Sequence, residues 1–414
     1  MFARIGVLHA AHVRRGLLGI ATGALVLAAS ACGGSTAPGQ SGGGADGGKP
    51  GATAVAVPAA TVTILPKAGA TGVDTTGTLH VSAASGRLTA VTVTGADGST
   101  VSGAITGDGT GWTPSAVLHT GTRYSVVATA SDSQGRTTTQ RSSFTTLTPA
   151  ASDIANFNIN PGETYGVGME VSLQFNDPVS QQYQADVLKA VTVTANPSVD
   201  VEGHWFGDSR VDFRPQNYWA PGTQVTLHLH LDGVRTGSQE YGQQDKDVSF
   251  TVGRYQVSVA DNNAHTLTVY SAPGVVRRTL PASLGDPQHT TWNGKMVISE
   301  KYSTIDMNSQ TVGLGSAYNI PDVPHAQRLT TSGTFVHGNY WRPASTFGSQ
   351  NTSHGCVGLQ DVQGGGDPNT PAAWFYDNSL IGDVVQVVNA PDAVVSPDNG
   401  LNGWNMSWSA WTSN

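Results

Sequence analysis

The run AVTVT at Ala90–Thr94 returns unchanged at Ala190–Thr194. Around it the likeness continues. PSAVLHTGTRYSV (Pro114–Val126) aligns with PQNYWAPGTQVTL (Pro215–Leu227) at an offset of 101 residues, and SSFTT (Ser142–Thr146) and VSFTV (Val248–Val252) close the two copies. A unit repeated at that period is one folded module present twice. Inside each copy apolar and polar residues alternate: Val171, Leu173 and Phe175 stand against Ser172, Gln174 and Asn176. Alternation buries one face of a strand. Turn-forming runs such as GADGS (Gly95–Ser99) and TGDGTG (Thr106–Gly111) separate the strands. Two tandem Ig-like β-sandwiches follow, without the cysteine pair that joins the sheets in antibody domains.

Outward from the repeat, the 414-residue chain is too long for one core. Only 12% of its residues are charged, and no run resembles an amphipathic helix of several turns, so the fold class is mainly β. The expected layout is a signal peptide over 1–31, a Gly-rich linker over 32–58, Ig-like domains over 59–148 and 149–252, a β-rich third domain over 253–390 and a short C-terminal subdomain over 391–414. Arg4, Arg14 and Arg15 precede an uncharged run, Gly16–Ser30, too short for a stable span. The run ends within AASAC (Ala28–Cys32), which resembles a bacterial lipobox and implies a lipid on Cys32 and a place on the outer face of the cytoplasmic membrane. Nine of the twenty residues from Gly33 to Ala52 are Gly, as in a flexible tether. Without residues 1–31 the chain has 18 basic against 29 acidic residues, a balance that does not draw it to nucleic acid.

The repeat itself is read as a spacer. His228 and His230 share a strand face as metal ligands do, yet no third ligand of recognisable spacing follows them. A third unit opens with YQVSVADNNAHTLTVYSAPG (Tyr255–Gly274), a hairpin pattern. In the tail Trp404, Trp408 and Trp411 fall at i, i+4, i+7, one face of a short helix packed back on the catalytic unit.

With Cys32 set apart, Cys356 is the one cysteine left, a candidate reactive thiol. Imidazole can take the thiol proton and return it to a leaving amine. His337, at the end of the strand-like TFVHG, is one candidate; His354, two residues from Cys356, is another. Gly355 permits a sharp turn, and the Gly355 and Cys356 N–H groups suit an oxyanion. His337, His354 and Cys356 also make three zinc ligands, but structural zinc sites use more cysteines at tighter spacing. No metal or cofactor is expected.

His337, fifteen intervening residues, then Ser353-His354-Gly355-Cys356 resembles the signature of the YkuD-type L,D-transpeptidases. The lead-in Ser332-Gly333-Thr334-Phe335-Val336, Trp341 and the stretch Gly348–Asn351 are also similar, and the order of domains resembles the multidomain actinobacterial members. The resemblance implies Cys356 as nucleophile, His337 as base, the Gly338 carbonyl orienting the imidazole, and Tyr318 as a lid residue helping the oxyanion. Ser332, Gly333, Trp341, Ser353, His354 and Gly355 would surround the substrate. It implies peptidoglycan stem peptides as donor and acceptor, release of D-Ala, 3→3 cross-links, and carbapenem-type inhibitors as ligands. An L,D-carboxypeptidase using the same thioester, or a wall-binding lipoprotein without activity, are the alternatives. One departure stands out: the family usually has Asn two residues after the cysteine, and here that residue is Gly358.

Overall fold

The computed structural model describes residues 59–312 and 319–413; the expected signal peptide, Cys32, the linker and Tyr318 lie outside them. The repeat becomes two sandwiches of one topology. In the first, strands Ala70–Val73, Thr137–Thr146, Arg123–Ser131 and Arg87–Gly95 form a sheet in that order. In the second, Thr164–Tyr165, Asp245–Val252, Gln224–His230 and Val191–Asn196 do the same. Each sheet has its first pair parallel and the rest antiparallel. The VTVT of each run, Val91–Thr94 and Val191–Thr194, falls on the same edge strand, the feature that made the repeat visible in sequence. A second four-stranded sheet covers each, and the alternating residues fill the space between: Val81, Trp112, Val126 and Ala128 in one, Leu173, Phe175, Leu227 and Leu229 in the other.

The body does contain a helix, Gln181–Ala190, contrary to expectation. It fully buries only Val187, so no apolar stripe announces it.

The third unit is built on a nine-stranded sheet. Its hairpin, Val257–Asp261 with Thr266–Ala272, is antiparallel as the sequence indicates. Within the sheet, Phe335–Asn339 and Val357–Gln360 lie side by side and parallel. A short helix, Pro371–Asp377, begins at Thr370, whose side chain accepts from the Ala373 N–H and caps it.

Side-chain bonds and close backbone approaches join the units. Thr75 Oγ1 donates to the Gly233 carbonyl (2.8 Å), and Arg235 pairs with Asp74 (2.8 Å). Between the second sandwich and the catalytic sheet, the Gly166 N–H reaches the Ile381 carbonyl (2.7 Å) and the Gly168 N–H that of Gly382 (2.8 Å). A Cβ on Gly166 would lie 2.2 Å from the Asp383 nitrogen, so that joint requires glycine.

The tryptophan tail corrects two expectations. Only Trp408–Trp411 is helical; Trp404 sits in a separate turn, Gly403–Asn405. The three rings converge on Arg214 of the second sandwich, at 4.8, 5.5 and 4.3 Å from Trp404, Trp408 and Trp411. Trp411 Nε1 donates to the Glu202 carbonyl (2.9 Å) and Trp404 Nε1 to that of Gly168 (2.8 Å). Arg214, in strand Arg210–Pro215, offers a buried cation to the ring faces, and the aromatic faces turn to the sandwich. The neighbouring Asn402 and Asn405 bond the catalytic strand Gly294–Val297. The tail thus clamps the two units together.

Candidate active site

Strand pairing explains how residues far apart in sequence meet. His337 lies opposite Gly358 in the parallel pair, and Cys356 enters one residue before its strand begins. Cys356 stands two positions before Gly358, so the thiol and the imidazole share one sheet face. Both line a pocket walled by Met307, Ile320, Asn339, Arg342 and Thr352.

The His337 Nδ1 is 2.8 Å from the Gly338 carbonyl. A carbonyl only accepts, so Nδ1 carries the proton and Nε2 keeps its lone pair. Burial lowers the His337 pKa, outweighing the opposite pull of the Gly338 bond and the Asp361 charge. Trp341 stacks on the ring at 5.6 Å. Cys356 is 8% exposed, and its Sγ lies 3.7 Å from the Gly333 carbonyl. Its sequence neighbours are polar or small, but in space it packs with Ala326 and Phe335. Burial pushes its thiol up to about 11, against a smaller stabilising hydrogen bond from the Phe335 backbone. The resting pair is therefore neutral thiol and neutral imidazole.

The loop around the thiol is fixed by its own atoms. Gly355 has φ 104°, the left-handed region that the expected sharp turn requires. Its N–H donates to Ser353 Oγ (3.2 Å), and Ser353 Oγ donates to the Cys356 carbonyl (2.6 Å). Of the two N–H groups expected to face an oxyanion, Gly355's is thus engaged; among the described residues no acceptor takes that of Cys356. His354 lines the pocket, with its ring packed 4.5 Å from that of His289. Ser332 is turned away, bonded to Asn399 through its N–H (2.9 Å) and Oγ (2.8 Å), while the adjacent Gly333 carbonyl faces the thiol.

Two residues gain a physical reason that sequence did not supply. A Cβ on Gly338 would lie 2.2 Å from Asp361 Oδ2, and Asp361 is held by His325 (2.7 Å) and Thr370 (3.0 Å). His337 is therefore followed by the one residue that fits. At Gly358 a Cβ would make only ordinary contacts, 3.5 Å from Asn339 Nδ2. Asn339 is 3% exposed, and its Oδ1 accepts from the Arg342 N–H (3.2 Å), which orients the amide. Its Nδ2 has no partner among the described residues and borders the pocket. Sequence reasoning missed Asn339, although it stands two residues from His337 and so on the same strand face. Arg342 and Thr352 carried no signal, because only folding brings them to the thiol.

Two Ig-like sandwiches thus precede a β-rich enzyme unit with a buried cysteine–histidine pocket. Residues 70–235 match the family model of a bacterial Ig domain, and residues 255–387 that of the L,D-transpeptidase catalytic domain, YkuD. L,D-transpeptidase 2 of Mycobacterium tuberculosis is 33% identical over 393 residues, 94% of this chain and 92% of that one. L,D-transpeptidase 5 of the same species is 30% identical over 363 residues, 86% and 77% of the two chains. A solved LD transpeptidase in complex with imipenem covers 58% of this chain and 100% of its own, at 30% identity and a TM-score of 0.47. The chain belongs to the L,D-transpeptidase family, and it is an enzyme of that kind.

Proposed function

We propose that the chain forms 3→3 cross-links in peptidoglycan through a thioester on Cys356. The donor is a tetrapeptide stem. Cys356 Sγ attacks the carbonyl between the third, diamino-acid residue and terminal D-Ala. His337 Nε2 accepts the thiol proton while Nδ1 stays bonded to Gly338. The tetrahedral oxyanion takes a hydrogen bond from the Cys356 N–H. As it collapses, the C–N bond breaks, and His337 gives the proton to the departing D-Ala amine. The side-chain amine of a second stem then attacks the thioester and loses a proton to His337 Nε2; the C–S bond breaks, leaving an amide, and His337 returns the proton to Cys356 Sγ. Asn339 Nδ2 donates to a donor-stem carbonyl, using the room that Gly358 leaves, and Arg342 pairs with a stem carboxylate. Carbapenems acylate the same sulfur. A lipid on Cys32 holds the protein at the outer face of the cytoplasmic membrane, and the tether and sandwiches carry the pocket towards the wall.

The observation that carries this reading is the shared pocket of His337 and Cys356, with Nδ1 committed to Gly338. Incubation with a tetrapeptide-stem disaccharide, followed by mass, tests it. A dimer lacking one D-Ala is the expected product, absent in Cys356→Ala. Tripeptide alone would make the protein an L,D-carboxypeptidase, and no turnover would refute both activities. Retention of Cys32→Ala on membranes would refute the lipid anchor.

A further inference from the structure

The strand pairing of the second sandwich supplies the third ligand that sequence spacing did not. His228 faces Asp247 across the sheet, and His230 faces Asp245. His228 Nδ1 is 2.8 Å from Asp247 Oδ1, and His230 Nε2 is 3.6 Å from the same oxygen. One ligand atom from each of His228, His230 and Asp247 falls within a 4.8 Å cluster. The imidazoles stack at 6.1 Å and 18°, so they are aligned side by side. His230 Nδ1 is held by Asp245 Oδ1 at 2.5 Å. That bond places the proton on Nδ1 in the neutral ring and turns the Nε2 lone pair towards Asp247. Two electron-rich atoms then face each other across 3.6 Å, a spacing that suits two ligands on one ion with bonds of about 2.0–2.2 Å.

We propose that His228 Nδ1, His230 Nε2 and Asp247 Oδ1 bind a divalent transition-metal ion of the zinc type. The two imidazole donors favour such ions over calcium or magnesium, which take oxygen ligands. Asp245 acts behind the ligand set, fixing the His230 tautomer as carboxylates do for metal-bound histidines. In the metal-free chain the His228 Nδ1–H faces the Asp247 carboxylate; the incoming ion displaces that proton, and the ring then donates from Nε2 to Thr194 Oγ1, 2.9 Å away. The ligands are partly exposed, so the remaining coordination position opens to solvent and the ion exchanges. The surroundings are acidic: His119 of the first sandwich lies 3.6, 3.7 and 3.9 Å from Asp97, Asp232 and Asp245. Asp245 therefore touches both His230 and His119, and loading acts at the joint between the sandwiches, remote from Cys356 in sequence and fold.

Titration calorimetry of untagged full-length protein with zinc alone, and the visible spectrum with cobalt alone, test the site. Both are repeated in a Cys32→Ser, Cys356→Ser background to remove thiol ligands. The expected result is one saturable ion per chain in either background. Affinity falls by about 100-fold or more in His228→Ala/His230→Ala and by about 10–100-fold in Asp245→Asn. Melting without metal is compared to confirm that the variants fold; if the double variant does not, Asp247→Asn serves in its place. No saturable uptake, uptake that survives loss of both histidines or of the Asp247 carboxylate, or uptake that depends on either cysteine overturns the proposal.

Discussion

Iodoacetamide reports the charge state of Cys356 without any need for substrate. A thiol near 11 rather than its ordinary 9.0 has about 100-fold less thiolate at neutral pH. A more basic thiolate is also the better nucleophile. With a Brønsted coefficient of about 0.4–0.5, that recovers about 8-fold. Cys356 should therefore alkylate about 12-fold more slowly than a free thiol at pH 7.5, and more slowly still where the pocket hinders approach. The rate should climb about tenfold per pH step up to at least pH 9.5, because the thiol is still mostly protonated there. Peptide mapping by mass separates Cys356 from Cys32. In the proposed mechanism His337 acts as base only once an acyl donor is bound, so His337→Ala should change alkylation by less than about threefold while lowering transfer about 10²–10⁴-fold. A plateau below pH 8, lost in His337→Ala, would show a preformed thiolate–imidazolium pair and sink the neutral-pair argument.

Asn339→Ala should lower kcat/KM for the donor stem by about 10–100-fold, from the loss of a substrate hydrogen bond, and leave Cys356 alkylation unchanged; equal kcat/KM would remove Asn339 from substrate binding. Gly358→Ala should melt within about 0.5 kcal/mol of wild type, whereas Gly338→Ala, forced against Asp361, should lose about 1–3 kcal/mol by urea unfolding. Burial and the Asp212 charge raise Glu170 to about 8, even against Arg214 and Arg210. Between its ordinary 4.5 and about 8 the folded chain keeps a proton that the unfolded chain has lost, so stability should fall as pH rises through that window. Glu170→Gln should flatten the slope, and an unchanged slope would refute the assignment. Trp411→Ala, opening the cavity beside Arg214, should cost about 3–5 kcal/mol and expose the tail to protease; tail protection equal to wild type would argue against the clamp.

The sequence alone determined that the chain carries two copies of one sandwich. AVTVT and the alternating strands report burial on one face, and burial on one face is what a strand's two-residue period encodes. It also singled out Cys356, because the only other cysteine is Cys32, and left His337 and His354 as candidate bases, between which the family resemblance chose His337. The glycine requirement at Gly338 was not legible, since Asp361 lies on a different segment and meets it only in the folded sheet. Nor was Asn339, whose amide reads as an ordinary polar residue until Arg342 orients it beside Gly358. Helix Gln181–Ala190 escaped because it fully buries one side chain only. The tryptophans announced a packed tail but not its partner; Arg214, nearly two hundred residues earlier, decides that. The same holds for His228 and His230. Their spacing gave two ligands on one face, and only cross-strand register placed Asp247 between them and Asp245 behind. Sequence patterns record what each residue does for its own strand. Distances between strands, and the charge states they impose on Cys356, His337 and Glu170, exist only once the sheets have closed.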